Sequence, residues 1–462
     1  MKGKSAGKNI YYGWVIVAIA FISLAIAYAL RYSFSVLSVA IEDEFGWSRA
    51  GIYFAFSIII TVYGFSGPVT GTLLDRYGPR KLFPTGALFL GFGLIGCSQI
   101  NQLWHLYFFY SLSAIGMACL GMVCYGTLVS NWFVRRRGTA WGLAASGTGF
   151  GMFVIVGFFI PWIIEHYGFR LAYVILGVLG IVIILPLTAL FLRHWPQEMG
   201  LAPDGDSLAP QEADKETGRE EKGEREAERL NTIVNHEWVE TEWTLALAAR
   251  TYRFWMVLLS LFCFAMSLYG VMMHQVQHAV DIGFTRFVAS SAFGVVGLLG
   301  MIGKFVWGLL SDRIGRETTY TLGVLANIIA ISFFISLQNP SQVWILYAFA
   351  IFFGLGYGIA QPIQTAIIAD LFQGRSLGVI MGFIVMGATI GGAIGPVFSG
   401  YVFDVTGSYR IAFLTATAIV ILSGVFAWLA SPSKVRLVTG KALVRASIKK
   451  LEEVPASPHS SP

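Results

Sequence analysis

Twelve long apolar segments run along the chain, at roughly 14–40, 50–73, 82–99, 104–132, 138–164, 168–192, 254–280, 287–310, 319–337, 342–371, 376–403 and 409–430. A helix needs about 20 apolar residues to cross a hydrocarbon core about 30 Å thick. The pattern therefore predicts twelve membrane helices. Charged or Gly/Pro-bearing turns separate them, and one long interruption divides six from six. The expected units are a first six-helix bundle (1–192), a linker (193–252), a second six-helix bundle (253–431) and a tail (432–462). The middle of the linker, GDSLAPQEADKETGREEKGEREAERL, is polar and alternates in charge sign. It reads as solvated and largely disordered. The stretch EWTLALAARTYRFW that follows has the composition of an amphipathic helix lying on a membrane surface.

The two halves repeat. FGWSRA (45–50) parallels GFTRFVA (283–289), and at the same offset of 237 residues GTLLDRYGPR (71–80) meets GLLSDRIGRE (308–317). Gly71, Asp75, Arg76 and Gly78 thus meet Gly308, Asp312, Arg313 and Gly315. Two similar bundles with a site between them is a transporter plan.

Composition agrees. Of 462 residues, 56% are hydrophobic and 13% charged, against about 25% charged in soluble domains. The net charge of +6 does not point to nucleic acid, because the cations sit between apolar segments and form no basic face. Counted by loop, 18 Lys/Arg fall in the N-terminus, the even-numbered short loops and the tail, eight near the linker, and four in the odd-numbered loops. Positive residues stay inside, so both termini and the linker are expected to be cytoplasmic in a multi-pass inner (plasma) membrane protein. Lys2, Lys4 and Lys8 precede an apolar run much longer than a signal's core, which reads as a retained first helix. The four cysteines lie in apolar runs without metal-ligand spacing, and no metal or cofactor is expected.

The pattern G-x3-D-R-x-G-x-R-K at 71–81 has the character of a gate. Gly71 admits a close neighbouring helix, Asp75 can accept from a helix end or pair with an arginine, and the cations hold the loop at one face. An ordinary basic loop would look similar, but this one recurs at Gly308, Asp312 and Arg313. On these residues the chain resembles the major facilitator superfamily, which implies an all-α fold of twelve membrane helices in two pseudo-symmetric six-helix bundles, and a monomer. GWVIVAIAFISLAIAYALRYSFSVLSVAIE (13–42) looks like the first helix of monocarboxylate transporters. GKFVWGLLSDRIGR (303–316) is similar to the eighth helix of monocarboxylate transporters and oxalate/formate antiporters, which place an arginine where Lys304 stands.

Two cations fall inside apolar segments. Lys304 lies about 12 Å along its helix from Asp312 at ~1.5 Å per residue, and a mid-membrane cation costs roughly 2.5–3.5 kcal/mol on insertion scales. A permeating carboxylate would offset that cost; a lysine snorkelling to the interface is the competing account. Arg31 shares a face with Tyr28 and Ser35 and suits a cavity wall, or else a structural pairing with another helix. The family's first-helix lysine aligns with Tyr32. Tyr357, Gln361 and Gln364 in the tenth segment and Tyr125 in the fourth could hydrogen-bond a carboxylate, or could simply pack between helices. His274 and His278, an i, i+4 pair, are candidates for proton coupling, set against a wetted helix end. None of the 26 Asp and Glu lies mid-span. Animal monocarboxylate transporters carry an aspartate where this chain has Gly300.

The resulting expectation is a secondary transporter for a small monocarboxylate of the lactate or pyruvate kind, with a proton as a candidate companion. An organic-anion or dicarboxylate exchanger is the alternative, and a transporter-like sensor belongs to a different class. Enzyme motifs are missing: no HExxH, no phosphate-binding Gly-Lys loop and no nucleophile elbow occur.

Overall fold

The computed structural model describes residues 11–134, 136–205, 232–374, 376–438, 440–442 and 445. The central part of the linker therefore lies outside the described residues. Among those described, ten helical runs are long and apolar enough to cross a membrane. One of them, Arg137–Phe191, has 55 residues, about 80 Å at 1.5 Å per residue, far more than one crossing. It reverses at Gly168, where φ is 78° and ψ 167°. The 19-residue helix Pro79–Cys97 completes the set, so the count of twelve stands.

In chain order these are α1 (Tyr12–Phe45), α2 (Arg49–Tyr77), α3 (Pro79–Cys97), α4 (Leu103–Trp132), α5 (137–167), α6 (169–191), α7 (Tyr252–Ile282), α8 (Arg286–Ile314), α9 (Arg316–Ser336), α10 (Val343–Leu371), α11 (Leu377–Thr406) and α12 (Arg410–Ala430). The sequence repeat becomes a structural one. Ser48 Oγ caps α2 by accepting from Gly51 N at 3.2 Å, and Thr285 Oγ1 caps α8 by accepting from Val288 N at 3.3 Å. Each motif loop turns on a glycine, Gly78 at φ 72° and Gly315 at φ 101°, a region that side chains with a Cβ enter only at a cost.

Across the halves α2 packs on α11 and α5 on α8. Three helices break near mid-length: α1 at Ser33, α4 at Leu120–Gly121 and α10 at Ile359. Interrupted helices expose backbone only where they line a cavity, and here the breaks surround the central one. Part of α5, Met152–Phe159, is a π-helix.

The surface-helix expectation for EWTLALAARTYRFW is corrected. Only Leu245–Ala248 is a short helix before α7 begins at Tyr252. Trp243 is buried and meets Phe372 with ring centroids 5.3 Å apart. The indole is too apolar to stay out when a pocket of aromatic rings lies beside it.

Candidate functional site

A cavity of about 470 Å³ lies between the bundles. Arg31, Tyr28 and Tyr32 from α1 and Tyr63 from α2 line it from one side; Tyr269 from α7, Lys304 from α8, and Tyr357 and Gln364 from α10 line it from the other. No aspartate or glutamate is among its lining residues.

Arg31 is 6% exposed. Its guanidinium stands 5.1 to 5.9 Å from the ring centroids of Tyr28, Tyr32, Phe56, Tyr63 and Tyr269. Ring faces attract a cation, but a guanidinium has five N–H donors. Among the described residues it makes one hydrogen bond, from Nη2 to Tyr269 Oη at a long 3.4 Å, and Nε has no partner there. Lys304 faces the Tyr357 ring, Nζ to centroid 5.5 Å. It has neither a hydrogen-bond acceptor nor an ion-pair partner among the described residues. Two cations thus share one chamber without a counter-charge.

The hydroxyls form a network. Tyr28 and Tyr63 lie 2.9 Å apart, and Tyr32 and Tyr357 lie 3.3 Å apart across the halves. Gln364 Nε2 donates to Tyr320 Oη at 3.2 Å. The break at Ser33 lets two consecutive residues, Arg31 and Tyr32, both reach the cavity. At Gly300, a side chain would collide with the Tyr357 ring. The tyrosine occupies the room an acid at that position would need.

The ends of the chamber differ. Away from the motif loops it is shut. Arg49 bonds Asp281 through Nη1 at 2.6 Å and Glu42 through Nε at 3.0 Å, and donates to Tyr409 Oη at 2.8 Å. Asp404 accepts from the backbone N of Arg49 and Ala50 at 2.9 Å each, and Arg286 pairs with Asp43 across the halves. At the motif end the approach is looser: a side chain added at Gly71 or Gly308 would meet nothing within 4 Å, while one at Gly142 would meet Phe305 across the halves at 3.3 Å.

This geometry, a polar chamber between two six-helix bundles, accords with similarity to known proteins. The Major Facilitator Superfamily description matches residues 19–340 and 256–458. The chain belongs to that superfamily. Monocarboxylate transporter 13 of Bos taurus is 24% identical over 409 residues, 88% of this chain and 86% of the relative. Monocarboxylate transporter 2 of Homo sapiens is 22% identical over 459 residues, covering 97% and 92%. Among solved structures, a bacterial homologue of the human lysosomal transporter Spinster, inward-facing and occupied, matches with a TM-score of 0.65 at 16% identity, covering 92% of this chain and 98% of that one. A nucleoside transporter matches at 0.62 with 13% identity, covering 90% and 100%. At that identity the structures bear on the fold alone. As a superfamily member the chain is a membrane-embedded secondary transporter of small solutes, not an enzyme, distantly related to monocarboxylate transporters.

Of the residues singled out in the sequence, Arg31, Lys304, Tyr28, Tyr357 and Gln364 come together in the chamber. The Gln361 side chain lies outside the described residues. Tyr125 does not line the cavity; it is buried and stacks on Phe83 at 4.3 Å. His274 and His278 stand away from the cavity, near the shut end. His274 is fully buried, its two ring nitrogens 2.8 Å from Tyr409 Oη and from Pro396 O. His278 packs against Phe334, Tyr409 and Phe413, so the wetted helix end is corrected to a packed one. At the motifs, Asp75, Arg76 and Arg313 are exposed, and Asp75 has no pairing partner among the described residues. Asp312 pairs with Arg316 at 2.7 Å, within its own half. Sequence reasoning missed Tyr63 and Tyr269, which lie on helices apolar all round, and the cross-half role of Arg49.

Proposed function

We propose that this transporter carries a small monocarboxylate, of the lactate or pyruvate kind, across the inner membrane by alternating access, with its termini cytoplasmic. The observation that carries this reading is the pair of uncompensated cations in one chamber. A planar carboxylate can accept two parallel N–H bonds from a guanidinium, and its charge offsets what burial of the cations costs. Arg31 and Lys304 would hold the carboxylate, one from each half, while Tyr28, Tyr357, Gln361 and Gln364 position it. Tyr125 would act on it only after a rearrangement of α4. The names of the relatives support the same class of cargo.

In this reading the shut end is the outer gate and the motif end opens to the cytoplasm. Gly71, Asp75 and Arg76, with Gly308, Asp312 and Arg313, would close the inner side in the opposite state. A proton travelling with substrate through His274 or His278 would need the Arg49–Tyr409 network to open first. A second reading, an organic-anion or dicarboxylate exchanger, is favoured by there being two cations rather than one.

Counterflow of labelled lactate in proteoliposomes tests the proposal. Accelerated exchange is expected in the native protein and loss of at least tenfold in Lys304→Gln, about 1.4 kcal/mol or more. Uptake unchanged by that substitution removes Lys304 from the site. Preference for oxalate or succinate over lactate favours the exchanger. An imposed pH gradient that leaves net lactate flux unchanged counts against a proton companion.

A further inference from the structure

Two grooves of similar size on the lipid-facing surface differ in character. One, about 630 Å³, lies between α2 and α11 and has no charged lining residue. The other, about 730 Å³, lies between α9 and α12 at the motif end. Its walls are apolar, with Val324 and Ile328 opposite Ile421 and Val425, and its mouth carries Tyr252, Trp428 and Lys434.

The mouth is built. Trp428 Nε1 donates to Thr321 Oγ1 at 2.8 Å, which fixes the indole across the groove. Ser431 then takes φ 47° and ψ 57°, a left-handed conformation uncommon outside glycine. It turns the chain off α12 and back to α9, where Ser433 N donates to Glu317 Oε1 at 2.8 Å. Glu317 itself is 2% exposed, so its charge is spent inward. Lys434 is exposed, and its ammonium has no ion-pair or hydrogen-bond partner among the described residues. Tyr252 Oη accepts from Arg253 Nε at 3.3 Å, which leaves its own proton to donate. Gly424 holds the groove open, since a side chain there would make ordinary contact with Val324 at 3.7 Å.

We propose that this groove binds an anionic glycerophospholipid. One acyl chain lies between α9 and α12, and the phosphate sits against the Lys434 ammonium and the Tyr252 hydroxyl. Tryptophan and tyrosine settle at headgroup depth, and basic recesses between membrane helices take anionic headgroups. The uncharged groove between α2 and α11 would accept an acyl chain of any lipid, so charge is what makes the second site selective. Because the same turn ties the start of the tail to α9 just beyond the motif loop, a bound lipid braces the motif end of the second half.

The test is thermal stability of the purified full chain in detergent, titrated with phosphatidylglycerol, phosphatidylcholine or inorganic phosphate. Phosphatidylglycerol should stabilise most, and Lys434→Gln should require about fivefold more of it, the worth of one surface lysine. Gly424→Leu, which fills the groove, should abolish the preference. Bromine-labelled acyl chains should quench fluorescence in the native protein more than in Trp428→Phe. Equal stabilisation by both lipids, a preference that survives Lys434→Gln, or stabilisation by phosphate alone would each overturn the proposal.

Discussion

The two ends of the molecule are made of the same helices and the same small residues, yet one is shut and the other open. At the shut end Gly157 and Gly294 face each other with their Cα atoms against one another, and a side chain at Gly400 would meet Ala50 N at 2.8 Å. At the motif end Gly71, Gly138, Gly308 and Gly378, on the same four helices, have nothing within 4 Å. The difference is thus one of angle between rigid bundles rather than of composition. Glycines that touch at one end have counterparts at the other that stand ready to touch when the bundles rock. The ion-pair latch around Arg49 is expected to bias the angle; among the described residues the motif end has no ion pair between the halves, and Asp312 pairs within its own half.

Removing the latch should break the comparison most. Arg49→Gln leaves the partly exposed Asp281 and Glu42 carboxylates without their buried cation, which should cost about 1–3 kcal/mol. Spin labels at the two ends should then report a population shifted toward an open Arg49 end. An unchanged distance distribution would show that the latch does not hold the state. Crowding the shut end comes next. Gly157→Leu drives a side chain into Gly294 and should cost about 1–3 kcal/mol, read as a lowered melting temperature. The same kind of change at the open end sharpens the contrast. Gly71→Leu should alter stability by no more than about 0.5 kcal/mol but abolish lactate counterflow, because the opposite state needs that approach. A drop in stability like that of Gly157→Leu would mean that the motif end is already in contact. Smallest of all, Arg286→Gln removes a pairing with Asp43 at the rim and should cost about 0–1 kcal/mol, falling further at high salt.

The fold was legible because a lipid-solvated helix must be apolar along its length. Twelve such runs, a repeat at a fixed offset and two glycine-turned motif loops left one plan. The candidate site was most legible where charge broke the apolar background: Arg31 and Lys304 stood out and both line the chamber, as do Tyr28, Tyr357 and Gln364, which share helices with polar neighbours. Two further tyrosines of the chamber did not stand out. Tyr63 and Tyr269 lie on helices with apolar residues on every face, since lipid, neighbouring helix and cavity wall all accept a ring, and periodicity therefore cannot say which face is inward. Tyr125 shows the converse error, a tyrosine among small residues that packs on Phe83 rather than entering the cavity. The histidine pair misled for a different reason. Nearness to a helix end suggested water, whereas Tyr409 packs on both rings and Phe334 on that of His278.

The stretches on either side of the linker's centre each belong to their own bundle. Asp204 accepts from Val134 N at 2.9 Å, and Tyr11 Oη donates to Ala202 O at 3.1 Å, so the first bundle keeps its own trailing segment. Trp238 Nε1 donates to Leu371 O at 2.7 Å, and Leu437 N donates to Thr232 O at 2.7 Å, so the second bundle keeps its own leading one. Severing the polypeptide between 206 and 231 would remove none of these bonds. Two separately translated fragments should therefore each insert and fold, then find one another in the bilayer through the contacts between the halves, the glycine faces and the Arg49 and Arg286 pairings among them, reconstituting a working carrier from two genes.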